Sequence, residues 1–285
     1  MFPIVGCWQQ TPILVLVRSS IFNPYALVAV LIRHRYLLLQ LIKRDVLLRY
    51  RGAMFGVAWM FLSPLIMLSI FAFVFGGIFQ NRWPSQDDGL PFWLILYAGL
   101  IVFNIFSEAI SRAPTAVRSY PTFVKKIIFP VEILPVVPLG TASIHAAFNF
   151  LILVVAAFWT GHLHVQILLV PLLLIPVLLF ASGLAWFVAA WGVFIKDMTQ
   201  IIPVFVQMLL FLSPVFYPAS AVPAFMRPFY ALNPLGTIIE VCRAATFGLT
   251  ISWLSWVVTL VSGMIAATLG HAYFQHAREE FADAL

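Results

Sequence analysis

Six long apolar segments, separated by short polar stretches, dominate the pattern of hydrophobic and polar positions along the chain. A helix needs about 20 apolar residues to cross the hydrocarbon core of a bilayer. The segments cover roughly 54–79, 92–113, 134–159, 166–194, 200–217 and 251–274. No charge-rich soluble domain interrupts them. The pattern therefore predicts an all-α polytopic membrane protein with six transmembrane helices in one domain, 54–285.

The composition agrees with this prediction. Hydrophobic residues make up 63% of the 285 residues, charged residues 9%, and the mean hydropathy is +1.03. A soluble globule of this size would need far more polar surface. The net charge of +6 does not indicate nucleic-acid binding, which requires a basic face on a soluble fold. The two cysteines, Cys7 and Cys242, are too few for a disulfide framework or a metal cluster, so we predict no metal site.

The distribution of Lys and Arg predicts the orientation. Thirteen of the 16 lie before the first apolar segment, between the second and third, after the fourth, or in the C-terminal tail. The opposite loops hold only Arg82, Arg227 and Arg243. Since basic loops stay in the cytoplasm, both termini are expected there.

A cationic helix over residues 36–53 precedes the first apolar segment, and residues 1–35 form an N-terminal extension. On a helical wheel Gln40, Lys43, Arg44 and Arg51 share one arc, and Leu37, Leu38, Leu41, Ile42 and Leu48 lie outside it. Asp45 and Arg49 stand at i and i+4, a spacing that predicts an ion pair between them. The helix is either an interface for a protein partner or an anchor on the lipid surface.

The loop between the second and third segments is the second candidate contact. Prolines bound a short stretch in which Tyr120, Phe123 and Phe129 flank Lys125 and Lys126. The pattern is typical of a stiff protrusion that docks in a groove of a partner. The alternative is a plain basic loop on the cytoplasmic side.

The stretch 218–250 is too apolar for a solvated loop and too rich in proline to span the membrane. Two re-entrant half-helices before the last span would fit, because protein or a water-filled cavity must cover non-helical backbone at membrane depth. An interfacial loop with aromatic anchors is the alternative.

The sequence lacks the common catalytic motifs. It contains no phosphate-binding loop of the Gly-x-x-x-x-Gly-Lys-[Ser/Thr] type, no His-Glu-x-x-His and no Cys-x-x-Cys. If the protein performs energised work, the ATP site is on another chain. The pair Asp87 and Asp88 is interpreted as a solvated turn.

Glu108 is the one acidic residue well within a predicted span, and Asn104 shares its helical face. An ionisable group inside the membrane suggests a functional site. We expect pore lining or a polar packing cluster with His145 and Asn149 as partners. Proton coupling is the less favoured alternative.

Aromatic residues form 15% of the chain, with 27 Phe, and many lie in the middle of the predicted spans. They either pack against lipid or line a conduit in which their rings stack on the apolar faces of sugars. The mid-span candidates include Phe71, Phe75, Phe205 and Phe211.

An ordered set of motifs resembles the ABC-2 type permeases that export bacterial polysaccharides such as O-antigen, capsule and teichoic acid. The resemblance covers about residues 36–275. Its motifs are RD at 44–45, RY at 49–50, GVAW at 56–59, KKIIFP at 125–130, KD at 196–197, LSPVFYP at 212–218 and LNPL at 232–235.

The resemblance implies a homodimer in the bacterial inner membrane, with two copies of an ABC ATPase that binds ATP and Mg²⁺, and no cofactor on this chain. Residues 40–51 and 119–130 would be the coupling surfaces, including Lys43, Arg44, Asp45, Arg49, Tyr50, Tyr120, Phe123, Lys125, Lys126 and Phe129. Residues 218–248 would be the outer gate, with Phe216 and Tyr217 in the motif that precedes it and Asn233 within it. The implied function is ATP-driven export of a lipid-linked glycan by a non-enzymatic subunit. The alternatives are an ABC-2 exporter of drugs or lipids, an ion-coupled secondary transporter and a membrane-embedded glycosyltransferase.

Overall fold

The computed structural model describes residues 24–78, 90–124, 129–218, 222–223 and 233–284, with side chains except at 24–28, 123–124 and 282–283. The described chain is mainly helical and contains no β-strand. The α-helices are α1 Pro24–Arg33, α2 Arg35–Tyr50, α3 Trp59–Phe71, α4 Phe92–Ala116, α5 Pro121–Val124, α6 Val136–Trp159, α7 Val170–Leu173, α8 Ile175–Phe194, α9 Met198–Leu212, α10 Pro234–Thr246, α11 Trp253–Ala277 and α12 Phe281–Ala284.

Five helical segments of the described chain are long and apolar enough to cross a membrane. They are Gly56–Ile78, Phe92–Ala116, Val131–Trp159, Val165–Phe194 and Trp253–Glu280. The protein is therefore an all-α, multi-pass membrane protein, as predicted. The fifth predicted span is the 15-residue helix α9. At 1.5 Å per residue α9 is about 22 Å long, shorter than the hydrocarbon core, because the chain turns at Ser213 and Pro214.

The second span, α4, is the centre of the bundle. In the most apolar 18-residue stretch of α4, 72% of the residues are buried. The corresponding fraction in the first span, Gly56–Ile78, is 11%. Helices α6, α8, α9 and α10 surround α4, and α11 packs against the far side of α8. Gly183 of α8 and Gly270 of α11 let these two backbones touch, since a Cβ on Gly270 would overlap the Gly183 carbonyl.

The first span changes its winding along its length. A 3₁₀ turn at Gly56–Ala58 leads into α3, and π-helical turns follow at Ala72–Ile78. Most of its side chains are exposed on the surface of the subunit. This helix is therefore held at the edge of the bundle.

Part of the predicted N-terminal extension is helical. Helix α1 ends at Arg33 and α2 begins at Arg35, and Val30 and Leu31 pack against the core at this end of the bundle. Residues 1–23 lie outside the described residues.

Part of the stretch 218–250, in which two re-entrant half-helices were predicted, falls in the described chain. Helix α10 has 13 residues, most of them buried against α4, and is too short to span a bilayer. Residues 219–221 and 224–232 of this stretch lie outside the described residues. The predicted turn at Asp87 and Asp88 also lies outside them.

Candidate functional site

Helix α2, which we call the interface helix, presents two different faces. Leu41, Ile42 and Val46 are buried against the bundle, whereas Lys43 and Arg44 are exposed. Gln40 and Arg51 are also exposed, so the predicted cationic arc faces outward. Leu48 was expected on the apolar side. It is 47% exposed and lies with Lys43 and Arg44 on the outward face.

The inward face carries Asp45, which binds two spans. Its carboxylate accepts hydrogen bonds from Arg112 Nη2 of α4 at 2.6 Å and from Thr141 Oγ1 of α6 at 2.7 Å. The predicted pairing of Asp45 with Arg49 is wrong, because both side chains turn toward the bundle and find partners there. Burial raises the pKa of Asp45, but the hydrogen bonds and the charges of Arg112 and Arg49 outweigh it, so the pKa lies below its ordinary value.

Arg49, one turn further along, joins Glu108 and His145. Arg49 Nη1 donates to Glu108 Oε1 at 2.5 Å, and His145 Nδ1 lies 2.9 Å from Glu108 Oε2. The Tyr50 hydroxyl lies 3.1 Å from His145 Nε2. Arg49 Nη1 also lies 2.8 Å from His145 Nδ1, so this ring nitrogen lies between the Arg49 guanidinium and the Glu108 carboxylate. Burial raises the pKa of Tyr50.

These groups form one network with balanced charge, which we call the clasp: Asp45, Arg49, Glu108, Arg112, Thr141 and His145. Arg112 Nη1 also lies 3.7 Å from Glu108, so the two carboxylates and two guanidinium groups alternate. Acidic side chains near membrane depth are tolerated when they are paired in this way. The expected contact of Glu108 with His145 is present and favours the packing interpretation of Glu108.

A row of polar side chains extends from the clasp along α6. Asn149 Nδ2 donates to the His145 carbonyl at 2.7 Å, and Asn149 Oδ1 accepts from the Tyr97 hydroxyl at 2.9 Å. Among the described residues, Asn149 is thus linked to Glu108 through His145. Thr141, His145 and Asn149 recur every four residues, so they lie on one face of α6.

A cavity of about 820 Å³ opens beside this row, between the interface helix, the first span, α4, α6 and the end of α9. Its basic residues, Arg49 and His145, lie where the interface helix ends. Trp59 and Phe71 lie twelve residues apart on α3, so the cavity extends about 18 Å along that helix. Its lining consists of Arg49, Tyr50, Ala53, Trp59, Met60, Ser63, Pro64, Met67, Phe71, Tyr97, Leu100, Ile101, Asn104, His145, Asn149, Leu210 and Phe216.

Three of the predicted pore or gate residues, Phe71, Asn104 and Phe216, line this cavity. Asn104 is exposed although its neighbours Phe103 and Ile105 are buried. Glu108 lies behind the cavity wall, one helical turn from Asn104.

The other predicted pore or gate residues lie away from the cavity. Phe75 packs on Phe71 at a ring distance of 6.1 Å. Phe205 and Phe211 are 47% and 63% exposed on the outer face of α9. The Tyr217 hydroxyl donates to the Phe211 carbonyl, and Asn233 caps α10 while donating to Ser213 Oγ at 3.0 Å.

The two predicted coupling segments touch each other. The Arg44 guanidinium lies 5.8 Å from the centre of the Tyr120 ring. Phe129 packs against the core at this end. Lys125 and Lys126 lie outside the described residues, as does the side chain of Phe123.

The outward face of the interface helix forms a shallow concavity of about 560 Å³. Its lining is Gln40, Lys43, Arg44, Leu47, Leu48, Tyr50, Arg51, Gly56 and Val57. The lining combines exposed leucines with three cationic side chains and no carboxylate, so it is suited to an acidic, partly apolar partner surface.

Sequence reasoning missed Arg243, which it counted as a loop charge. Arg243 is only 3% exposed and donates to the carbonyls of Ile95, Pro214 and Val215 at 3.1, 2.6 and 2.6 Å. It thereby connects α10 to α4 and to the end of α9. A lone Arg in an apolar helix, close to two prolines that free carbonyl groups, was the available signal.

Sequence reasoning also missed Glu132 and Arg278. Glu132 accepts from Arg278 Nη1 at 3.0 Å, and its carbonyl accepts from Trp186 Nε1 at 2.8 Å. The loop before α6 is therefore tied to α8 and to the C-terminal tail. These contacts are far apart in sequence, and no local pattern predicts them.

The fold and the site define a polytopic membrane protein whose interface helix is held to two central spans by ion pairs and hydrogen bonds, beside a mainly apolar cavity that contains a few polar groups. The sequence profile of the ABC-2 type transporter family matches residues 36–247, which include the interface helix, the clasp and the cavity. The chain belongs to the ABC-2 type transporter family.

Several characterised proteins are similar over most of their length. An O-antigen export system permease protein RfbA of Myxococcus xanthus is 24% identical over 263 residues, covering 91% of this chain and 99% of the relative. A Klebsiella pneumoniae protein with the same description is 20% identical, covering 87% and 95%. The polysialic acid transport protein KpsM of Escherichia coli is 24% identical, covering 78% and 88%.

Proposed function

We propose that this chain is the transmembrane permease subunit of an ATP-driven ABC exporter that moves a lipid-linked polysaccharide, of the O-antigen or capsule type, across the bacterial inner membrane. The observation that carries the proposal is the polar and aromatic cavity in a member of the ABC-2 family. The relatives named for O-antigen export and polysialic acid transport support a glycan as the substrate.

The chemistry of the cavity suits an uncharged polar chain. Asn104 and Ser63 are exposed in it and make no hydrogen bond to the described residues. Trp59, Phe71 and Phe216 offer aromatic surface. Polar groups that fix orientation on a mainly apolar and aromatic lining are the usual composition of a binding site. Sugars present hydroxyl groups and apolar faces that match the two kinds of group.

The assembly we propose is a homodimer with two copies of an ABC ATPase. The first span, 11% buried, and the exposed face of α9 leave apolar surface for a second copy beside the cavity. ATP and Mg²⁺ bind on the ATPase, so this chain is a transport subunit and does not catalyse hydrolysis. Both termini are cytoplasmic, following the thirteen basic residues on that side.

The ATPase contacts the outward face of the interface helix and the adjoining loop. Lys43, Arg44 and Arg51 surround exposed leucines in the concavity, and Arg44 rests on Tyr120 of the loop. Asp45, Arg49 and Tyr50 act on the other face, where they transmit movement of the helix to α4 and α6. The predicted coupling residues on this helix therefore form two groups. Lys43 and Arg44 contact the ATPase, and Asp45, Arg49 and Tyr50 transmit the movement to the bundle.

The outer gate is formed by 218–248 with the end of α9. Arg243 links α10 to the carbonyls of Pro214 and Val215, so these segments move together. Phe205, Phe211, Phe216, Tyr217 and Asn233 belong to this region, on α9 or in the turns that follow it.

The first experiment is purification of the tagged protein from its native membrane in mild detergent, with mass spectrometry of the chains that co-purify. A stoichiometric subunit with a phosphate-binding loop is expected. Lys43→Glu combined with Arg44→Glu should release it, because the substitutions reverse the charge of the docking face. Lys196→Glu is the matched control on an exposed residue outside that face. Absence of an ATPase from the wild-type preparation contradicts the proposal.

The second experiment tests the substrate. Asn104→Leu should reduce glycan on the cell surface and cause lipid-linked glycan to accumulate inside. Thr268→Leu is the control, since Thr268 lies on α11 and does not line the cavity. Normal surface glycan when the gene is deleted would instead favour a drug or lipid as the cargo.

A further inference from the structure

Arg49 has only part of its guanidinium occupied. Its Nη1 donates to Glu108 and lies 2.8 Å from His145 Nδ1, and the guanidinium also contacts the Tyr50 hydroxyl. The side chain is 40% exposed and lines the cavity. A guanidinium group presents five donors in a planar fork suited to carboxylate and phosphate oxygens. The open edge of Arg49 therefore has room for an anionic group that enters from the cavity.

The charge of the cavity lining supports an anion. Arg49 and His145 are the charged or basic residues in the lining, and no carboxylate belongs to it among the described residues. Glu108 lies behind them and is mainly buried, with 16% of its side chain exposed. It holds the Arg49 side chain in position. A group in the cavity thus meets hydrogen-bond donors first and the carboxylate only behind them.

We infer that the Arg49 end of the cavity binds the phosphate head of a lipid-linked substrate, while the neutral part of the lining receives the first sugars. The inference rests on the proposed function, since it names the chemical group of that substrate which this chain recognises. Arg49 lies at the interface-helix end, and Phe71 and Phe216 lie further along the cavity. A charged head and an uncharged chain are therefore received by different parts of one site.

The test measures binding to the full chain, purified with the subunits that accompany it, and uses three probes. Farnesyl pyrophosphate carries a prenyl chain and phosphates, farnesol lacks the phosphates, and inorganic pyrophosphate lacks the chain. We expect farnesyl pyrophosphate to bind at least tenfold more tightly than either of the others. If farnesol binds equally well, the phosphate is not recognised. If inorganic pyrophosphate binds as tightly as farnesyl pyrophosphate, the site recognises a free phosphate anion and not the head group of a lipid.

Arg49→Lys keeps the charge beside Glu108 but loses the fork. It should weaken farnesyl pyrophosphate binding about tenfold, as expected when charge-assisted hydrogen bonds are lost. Arg33→Lys is the matched control, because Arg33 is exposed on α1 and lines neither the cavity nor the outward concavity. It should bind within twofold of the wild type. Unchanged binding by Arg49→Lys overturns the inference.

A second variant covers the possibility that Arg49→Lys disturbs folding. Asn104→Asp places a negative charge in the cavity at an exposed position outside the clasp. It should weaken binding of farnesyl pyrophosphate but not of farnesol, and equal weakening of both would count against a phosphate site. This assay has no export or ATPase readout, so its failure is distinguishable from failure of the proposed function.

Discussion

The Asp45 carboxylate of the interface helix accepts a hydrogen bond from Arg112 of α4, with Oδ1 and Nη2 2.6 Å apart. Thr141 of α6 occupies the other carboxylate oxygen at 2.7 Å. One side chain of the interface helix therefore binds both spans that flank the loop touching Arg44. Movement of the helix must either carry α4 and α6 with it or break these bonds.

Asp45→Ala should abolish export and leave membrane insertion intact. The substitution removes the hydrogen-bond acceptor of the partly buried Arg112, which keeps only its 3.7 Å contact with Glu108, and this loss costs roughly 1–3 kcal/mol of stability. The interface helix remains attached through Leu41, Ile42 and Val46. Surface glycan, the amount of protein in the membrane fraction and the melting temperature in detergent would be measured. Asp197→Ala, at an exposed position, is the control. Wild-type export by Asp45→Ala would remove the clasp from the mechanism.

The stability of the purified protein should depend on the protonation of Asp45. Its folded pKa lies below the ordinary value of 3.8. The ionised carboxylate therefore stabilises the fold above pH 3.8, and this contribution is lost as the pH falls through the lower, folded pKa. Melting temperatures recorded between pH 6 and pH 2 should fall less steeply for Asp45→Asn than for the wild type. Parallel curves would show that Asp45 contributes nothing to the acid sensitivity.

The broad architecture was readable from the sequence because the hydrophobic pattern is strong. Long apolar runs in a bilayer have few alternatives to helices, so the spans and their order were predicted well. Helix α9 is shorter than its apolar run because Pro214 stops it, and the apolar residues that follow belong to the turn. The outward placement of Lys43 and Arg44 followed from helical periodicity.

The partners within the site were harder to predict, because they come from different helices. The i, i+4 spacing of Asp45 and Arg49 suggested a local pair, yet Arg112 and Glu108 bind them from α4. A local pair on a helix surface contributes only a few tenths of a kcal/mol, so partly buried partners from other helices override it. Arg112 stands four residues after Glu108, and a polar row with the same spacing includes His145. These two spacings were available in the sequence as signals for partners on α4 and α6.

Glu108→Gln should not make transport dependent on a proton gradient. Arg49, Arg112 and His145 surround the carboxylate, an arrangement that stabilises a fixed charge. The amide loses two charged contacts, so a lower melting temperature is expected. Export into inverted vesicles would be measured with ATP, with and without a protonophore. Inhibition of the wild type by the protonophore at constant ATP, abolished in Glu108→Gln, would favour an ion-coupled transporter.

Gly99→Ala should destabilise the protein by loosening the Arg243 contacts. A Cβ at Gly99 would lie 2.5 Å from Arg243 Nη2 and 3.0 Å from Cζ. Arg243 has little freedom to move away, because it donates to carbonyls of Ile95, Pro214 and Val215. Overpacking of this kind costs about 1–3 kcal/mol. The melting temperature should fall, and hydrogen exchange of the backbone at 213–217 should become faster.

Gly77→Ala is the matched control for this prediction. Its added Cβ would have Phe73 as its nearest neighbour, at an ordinary contact distance of 3.9 Å. The control should therefore melt close to the wild type, with unchanged exchange at 213–217. If both variants lower the melting temperature equally, the loss is a general effect of alanine in these spans. If Gly99→Ala melts like the wild type, the Arg243 side chain can move away from the added Cβ. Arg243 then does not hold the end of α9 and α10 together.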